Sequence, residues 1–275
     1  MGVGPGGVVE SVRIGVVLSA GGLRGAAHAG VLRQLVRHGV PLHTIVGVSA
    51  GAIVAAYYAA VGLDLDEMIG DAAAFRGRHL LAHSVAVRCG ARLKRGLRRY
   101  CGVIPDRLEQ LEAASFDRLH HGVQRLGIVC HDLSSGRPQY FGTGCDQQVR
   151  LGDAVRASAS IPRLFPSIQV SSGTEVLRLT DGGVSDPVPV AFARAMGATH
   201  VVVSDCCSVV APEVNDSRTA WIRPSIRRTR ALRSPREGLL ATVRDGEAAV
   251  TSDVLDVINR WLDAGSSTST LTAAV

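Results

Sequence analysis

Three short segments of the chain carry residue types that could attack and stabilise an acyl carbonyl. Gly47-Val48-Ser49-Ala50-Gly51 is a G-x-S-x-G sequence. Its glycines, Gly47 and Gly51, let the backbone fold sharply, so that the serine projects from the turn. A helix starting there would present unpaired N–H groups and a favourable dipole to developing negative charge, which makes Ser49 a candidate nucleophile. Gly21-Gly22-Leu23-Arg24-Gly25 offers a strip of backbone N–H groups for an oxyanion, each donor contributing about 3 kcal/mol to the transition state. A dinucleotide-binding G-x-G-x-x-G would fill the same place, but Ala20 stands at its first glycine. Positions 40–48 also lack the acid that such a motif needs. In Leu179-Thr180-Asp181-Gly182-Gly183 the Asp-Gly step is a common turn. A serine nucleophile nevertheless needs a group to take its proton. His28, His43, His131 and His200 stand in no context that argues for catalysis, and His28 reads as a packing or capping residue.

The elements around these segments alternate. Arg13 to Leu18 reads as a buried strand that runs into the Gly-rich loop. Ala27, Val31 and Leu35 then recur at helical spacing until Gly39 and Pro41 end the pattern. Thr44 to Val48 is a second β-branched strand, followed without a spacer by the uncharged segment Ala50 to Ala60, a helix expected to be buried all round. Asp64-x-x-Glu67 predicts a capped helix. Leu126 to Cys130 and Gln139 to Phe141 read as strands joined at Ser134-Ser135-Gly136, and Val176 to Leu179 and His200 to Ser204 as two more. Val250, Val254, Ile258 and Leu262 form the stripe of a docking helix. This alternation predicts an α/β fold, a mainly parallel sheet covered by helices.

Composition narrows the class. Hydrophobic residues make up 46% and charged residues 20%, a balance that excludes disorder over the whole chain. No apolar run approaches the roughly 18 residues of a membrane helix. The six cysteines (Cys89, Cys101, Cys130, Cys145, Cys206 and Cys207) form no C-x-x-C pair and stand near no histidine cluster. No metal or other cofactor is therefore expected. The apolar run Ile14 to Leu18 is too short for a signal peptide, and Gly6 spoils a myristoylation motif. A cytoplasmic protein with free, mostly buried thiols is the expectation, peripheral at the membrane if it binds one.

Charge is unevenly placed. Arg76 to Arg107 carries a net +8 and Arg218 to Arg236 a net +7, leaving −9 for the remainder of a chain whose total is +6. Such blocks are either solvated faces or a surface for an anionic partner. In Arg218–Arg236 the few apolar residues, Trp221, Ile222, Ile226 and Leu232, could wedge into a lipid interface while the guanidinium groups engage phosphates. Nucleic acid is not expected, because aromatics are only 4% and do not interleave with the arginines.

Four segments in the same order resemble the bacterial patatin-like phospholipase family. Ser19-Ala20-Gly21-Gly22-Leu23-Arg24-Gly25 with His28-Ala29-Gly30 is similar to its Gly-rich block, and Gly47 to Gly51 to its G-x-S-x-G. Arg156-Ala157-Ser158-Ala159-Ser160-Ile161-Pro162 with Phe165-Pro166 resembles its A-S-x-x-x-P block, and Asp181-Gly182-Gly183 its D-G-G/A. The resemblance implies a three-layer α/β/α sandwich and hydrolysis of lipid acyl esters by a Ser–Asp dyad. Ser49 would be the nucleophile, Asp181 the base, and Gly21, Gly22, Leu23, Arg24 and Gly25 the oxyanion hole. Ser185-Asp186-Pro187 departs from the family's Asn-Asn-Pro, which bears on the substrate-side wall.

One domain over 1–275 is expected, with the motifs in about 13–205, a basic segment and docking helix in 206–264, and a disordered 265–275. Residues 206–275 resemble nothing recognisable. An acyltransferase using the same acyl-serine, or a non-catalytic lipid-binding regulator on the same fold, are the competing readings. The regulator predicts a drifted Ser49, Asp181 or loop glycine, and none has drifted.

Overall fold

The strands at the centre of the chain are apolar along their whole length, which suits a sheet covered on both faces. In a computed structural model that describes residues 11–74, 103–145, 149–173, 175–207, 216–226 and 235–272, β1 (Ile14–Leu18) and β2 (Thr44–Val48) are buried at every position. With β3 (Arg125–Asp132), β7 (His200–Ser204) and β8 (Thr219–Ile222) they form a five-stranded parallel core in the order β3-β2-β1-β7-β8. Three antiparallel strands complete the sheet. β4 (Arg137–Gly142) returns along β3, and the hairpin of β5 (Ile168–Ser172) and β6 (Glu175–Asp181) joins through β6.

The register around β3 is what positions the site. One edge of β3 is occupied by β4 throughout Gly127 to Asp132. The other edge is shared by two strands that meet end to end. Parallel β2 finishes with Val48 opposite Val129, and antiparallel β6 finishes with Asp181 opposite Cys130. The residue after Val48 is Ser49. Two segments 132 residues apart in sequence are thus brought together by adjacent positions on one template strand.

The helices sort by face. Val16, Leu18, Ile45, Ile128 and Val202 point to the side covered by α1 (Ala26–Arg37), α2 (Ala50–Ala56) and α5 (Leu151–Ser158). Val17, Val46, Val48, Val129 and Val203, offset by one residue along the same strands, pack with Val190 and Ala193 of α6 (Val190–Ala195). The result is the expected three-layer α/β/α arrangement, with α6 alone as the second helical layer among the described residues. α2 runs on as a π turn over Tyr57–Val61. α3 (Leu65–Ala74) is capped by Asp64, whose carboxylate accepts the Glu67 N–H at 2.7 Å. α4 (Val103–Ala113) precedes β3. α7 (Pro235–Ala248) crosses α1 at two glycines: a Cβ on Gly30 would stand 2.0 Å from the Val243 carbonyl oxygen, and one on Gly246 2.1 Å from that of Ala27. α8 (Ser252–Thr272) closes the chain.

Several expectations need correction. The basic stretch from Arg218 does not begin as a surface wedge: Thr219–Ile222 is a strand of the sheet, and Ile222 is 1% exposed. Its arginines hide a short apolar alternation, with Ala220 and Ile222 inward. Arg223 lies over the Trp221 ring at 4.6 Å, so that ring stacks within the protein. Residues 227–234 of this block, and 75–102 of the other, lie outside the described residues. The C-terminal stripe enters its helix only at Ser252, so Val250 packs from the preceding turn, while Trp261 is buried and donates its indole N–H to the Ser217 carbonyl at 2.9 Å. The helix continues to Thr272 through most of the expected disordered tail, which has no proline to stop it. Of the four described cysteines, all free, Cys130 and Cys206 are buried, Cys207 is half-buried and Cys145 is exposed. No helix among the described residues is long and apolar enough to cross a membrane.

Candidate active site

Ser49 sits in the sharp turn that its glycines allow. Its backbone is at φ 57° and ψ −121°, a conformation that costs a non-glycine residue about 1–3 kcal/mol. A Cβ on Gly47 would stand 2.4 Å from the Gly51 carbonyl oxygen, and a Cβ on Gly51 2.2 Å from that of Leu18. Both clashes are with backbone, so the turn closes only with glycine at each position. Ser49 is the N-cap residue of α2, yet its side chain makes no capping bond. Serine in that position usually accepts a bond from the helix's own first N–H groups. Here the hydroxyl donates instead to Asp181 Oδ2 at 2.6 Å.

Asp181 is fixed from both sides. Its other oxygen accepts the Gly183 N–H at 2.8 Å, and its own N–H donates to the Ser160 carbonyl at 3.1 Å. A Cβ on Gly182 would stand 2.3 Å from the Val129 carbonyl oxygen, so glycine is needed where the chain leaves β6 against β3. Burial pushes the Asp181 carboxyl above its ordinary value, while the bonds from Ser49 and Gly183 pull it back in part. A carboxylate with a raised pKa is a stronger base.

The Gly-rich loop lies beside this pair. It forms a single 3-10 turn over Gly22–Gly25, with Gly22 at φ +55°. Gly25 abuts the residue after the serine: a Cβ there would stand 2.3 Å from Ala50 Cβ. Arg24 donates both its backbone N–H and its Nε to the Gly21 carbonyl, at 3.2 and 3.3 Å, so these two donors are engaged within the loop. A 3-10 turn bonds each N–H to the carbonyl three residues earlier, so its first donors, those of Gly22 and Leu23, have no partner within the turn.

Beneath the loop, His28 is fully buried. Its Nε2 lies 2.9 Å from the Ser19 carbonyl, which can only accept, so the proton sits on Nε2. Nδ1 then accepts from the Ser204 hydroxyl at 2.8 Å. Desolvation lowers the ring's pKa to about 4, with the Ser19 bond opposing. His28 is thus a neutral packing residue, as expected. The Cys206 thiol beside it is pushed up to about 12, chiefly by burial, and is inert. His43 and His200 lie at the amino ends of β2 and β7, away from Ser49. No histidine among the described residues bonds to Ser49 or Asp181.

One positioning residue escapes a reading of the sequence. Ser158, at the end of α5, accepts the Ser49 N–H at 2.8 Å and donates to the Val129 carbonyl at 2.6 Å, in full burial. It ties the strained turn to the strand that also aligns Asp181. Ser160, two residues on, supplies the carbonyl that receives Asp181 N and Thr180 Oγ1. Asp186, the departure in the wall, accepts the Tyr140 hydroxyl at 2.9 Å, and burial raises its carboxyl. Among the described residues no cluster of side chains could hold a metal ion.

Comparison with known proteins agrees with this architecture. The family described as patatin-like phospholipase matches residues 16–194. Lysophospholipase nte1 of Aspergillus fumigatus is 30% identical over 207 residues, covering 71% of this chain and 12% of that protein. An uncharacterized NTE family protein of Mycobacterium tuberculosis is 28% identical over 231 residues, covering 81% of this chain and 58% of that protein. This chain therefore spans only part of the length of these relatives. The crystal structure of VipD from Legionella pneumophila superposes with a TM-score of 0.52 at 13% identity, covering 91% of this chain and 67% of that one. That last likeness is one of fold alone.

Proposed function

The chain belongs to the patatin-like phospholipase family, and from that premise we propose that it is a serine-dependent lipid acyl hydrolase working through Ser49 and Asp181. The observation that carries the reading is the 2.6 Å bond from a strained, non-capping serine to a buried carboxylate. Ser49 Oγ attacks the acyl carbonyl while its proton passes to Asp181 Oδ2. Negative charge gathers on the former carbonyl oxygen, where the N–H groups of Gly22 and Leu23 and the N-terminus of α2 stabilise it. The tetrahedral adduct collapses, the ester C–O bond breaks, and the departing alcohol takes the proton from Asp181. Water then attacks the acyl-serine and gives a proton to the same carboxylate. As the second adduct collapses the acyl–Oγ bond breaks, Ser49 Oγ takes that proton back from Asp181, and the fatty acid leaves. A carboxylate is a weaker base than imidazole, and the buried setting of Asp181 offsets part of that deficit.

The substrate class follows the premise: an ester of a long acyl chain, with a lysophospholipid the first to try because a relative carries that name. Fatty-acid release from lysophosphatidylcholine and turnover of a short soluble ester should both vanish in Ser49→Ala and in Asp181→Asn. The double variant should be scarcely worse than either single one, because the two groups act as a unit. Substantial turnover in Asp181→Asn would overturn the dyad.

A further inference from the structure

Five large apolar side chains are exposed among the described residues, and four of them gather at one end of the sheet. Leu164 is 69% exposed, Val176 65%, Val184 53% and Leu133 45%. Leu133 opens the turn that follows β3, and its N–H donates to the Arg178 carbonyl at 2.9 Å. Val176 belongs to the β5–β6 hairpin. β6 pairs with β3 only from Leu179 to Asp181, so its first four residues rise past the end of β3 by roughly 13 Å. Arg178 reaches across to the Ser167 hydroxyl at 3.2 Å, joining the hairpin to the loop that bears Leu164. Val184 follows Asp181 by three residues in the turn that leaves β6. The carboxyl end of the parallel strands, where Ser49 and Asp181 lie, is thus bordered by apolar side chains that stay exposed among the described residues.

Charge on the same segments has one dominant sign. Arg137, Arg163 and Arg178 are exposed there, against the single acid Glu175 in residues 133–137, 161–167, 175–178 and 182–185. Apolar tips set among guanidinium groups suit a surface that is oily inside and anionic at its face. We propose that this end of the molecule, rather than the opposite pole that carries Arg218 and Arg260, docks on an anionic phospholipid bilayer, and so presents Ser49 to its substrate in the membrane. The inference rests on the acyl-hydrolase reading and names the surface that serves it. Arg218 lies at the other pole. It precedes the first residue of β8 and lines a cavity of about 570 Å³ with His200, Arg260 and Trp261. A bilayer held there would be separated from Ser49 by at least the length of β7, roughly 16 Å.

The test uses vesicles of equimolar phosphatidylcholine and phosphatidylglycerol with ether-linked chains, which bind without being hydrolysed. The whole chain should co-sediment with them, and Leu164→Asp with Val176→Asp should weaken partitioning roughly tenfold or more, since each apolar tip loses its burial in the acyl region. Arg218→Ser with Arg260→Ser should bind like the unaltered protein. Turnover of a short soluble ester should be unchanged in both pairs. Binding lost in the arginine pair and kept in the apolar pair would overturn the proposal, as would an unaltered protein that ignores the vesicles. Failure of the acyl-hydrolase reading shows separately, as absent ester turnover in the unaltered chain.

Discussion

Replacing Ser158 by Ala removes a hydroxyl placed to touch no substrate, and it should still cripple Ser49. The truncation strips the Ser49 amide of its acceptor at 2.8 Å and the Val129 carbonyl of a donor at 2.6 Å. A buried amide left unpaired costs about 1–3 kcal/mol, and the lost second bond about 1 kcal/mol more. Their sum, about 2–4 kcal/mol, is a fraction of the roughly 5–15 kcal/mol that keeps a domain folded, so the variant should fold. The same amide pins a serine whose φ of 57° and ψ of −121° would otherwise relax. Once the turn loosens, Oγ drifts from Asp181, and a displacement near 1 Å costs about 100-fold in rate. On a soluble ester, kcat should fall about 100-fold with KM little changed, while the melting temperature drops by several degrees. Unchanged kcat in a variant that has lost stability would refute the reasoning, because Ser158 would then serve the fold alone.

Asp181→Asn should abolish turnover and raise the melting temperature at neutral pH. The folded carboxyl titrates above its ordinary 3.8, so stability falls as pH rises between the two values, and the amide escapes that cost. A variant less stable than the parent at pH 7 would contradict this. His28 acts in the opposite sense: the unfolded ring gains its proton near 6.5 and the folded one near 4, so stability should fall by about 3 kcal/mol as pH drops through that window. An NMR titration placing the folded His28 midpoint near 6.5 would remove the basis for it. Gly51→Ala should lose far more stability than Gly22→Ala in thermal melts. The first drives a Cβ to within 2.2 Å of the Leu18 carbonyl oxygen, whereas the second meets nothing within 4 Å and carries only the strain of φ +55°, about 1–2 kcal/mol. Equal losses would show that the turn at Ser49 tolerates a wider backbone.

The residues of the site were legible where local chemistry repeats a pattern. Ser49 could be read because a β-branched strand runs straight into a glycine-framed turn and an uncharged helix. Asp181 could be named only through resemblance, since Asp-Gly is ordinary turn chemistry. What joins it to Ser49 is the shared edge of β3, a register that no short window encodes. Ser158 shows no role in the sequence, because a serine beside alanines at a helix end carries no local sign of a partner 109 residues away. Arg24 misleads in the other direction: a guanidinium in a Gly-rich loop suggests an anion site, but its Nε donates to the Gly21 carbonyl. β8 was hidden by composition, four residues of strand set in an arginine-rich stretch. α7 was missed because its face is set by glycine approaches to α1 rather than by an apolar stripe.

The central claim is that Ser49 is the activated nucleophile, and covalent trapping tests it most directly. The purified protein is treated with a fluorophosphonate ester, digested, and the modified residue identified by mass spectrometry. The account predicts a single adduct on Ser49, absent from Ser49→Ala and formed far more slowly in Asp181→Asn. An adduct on another residue, or labelling at an unchanged rate when Asp181 is an amide, would contradict it.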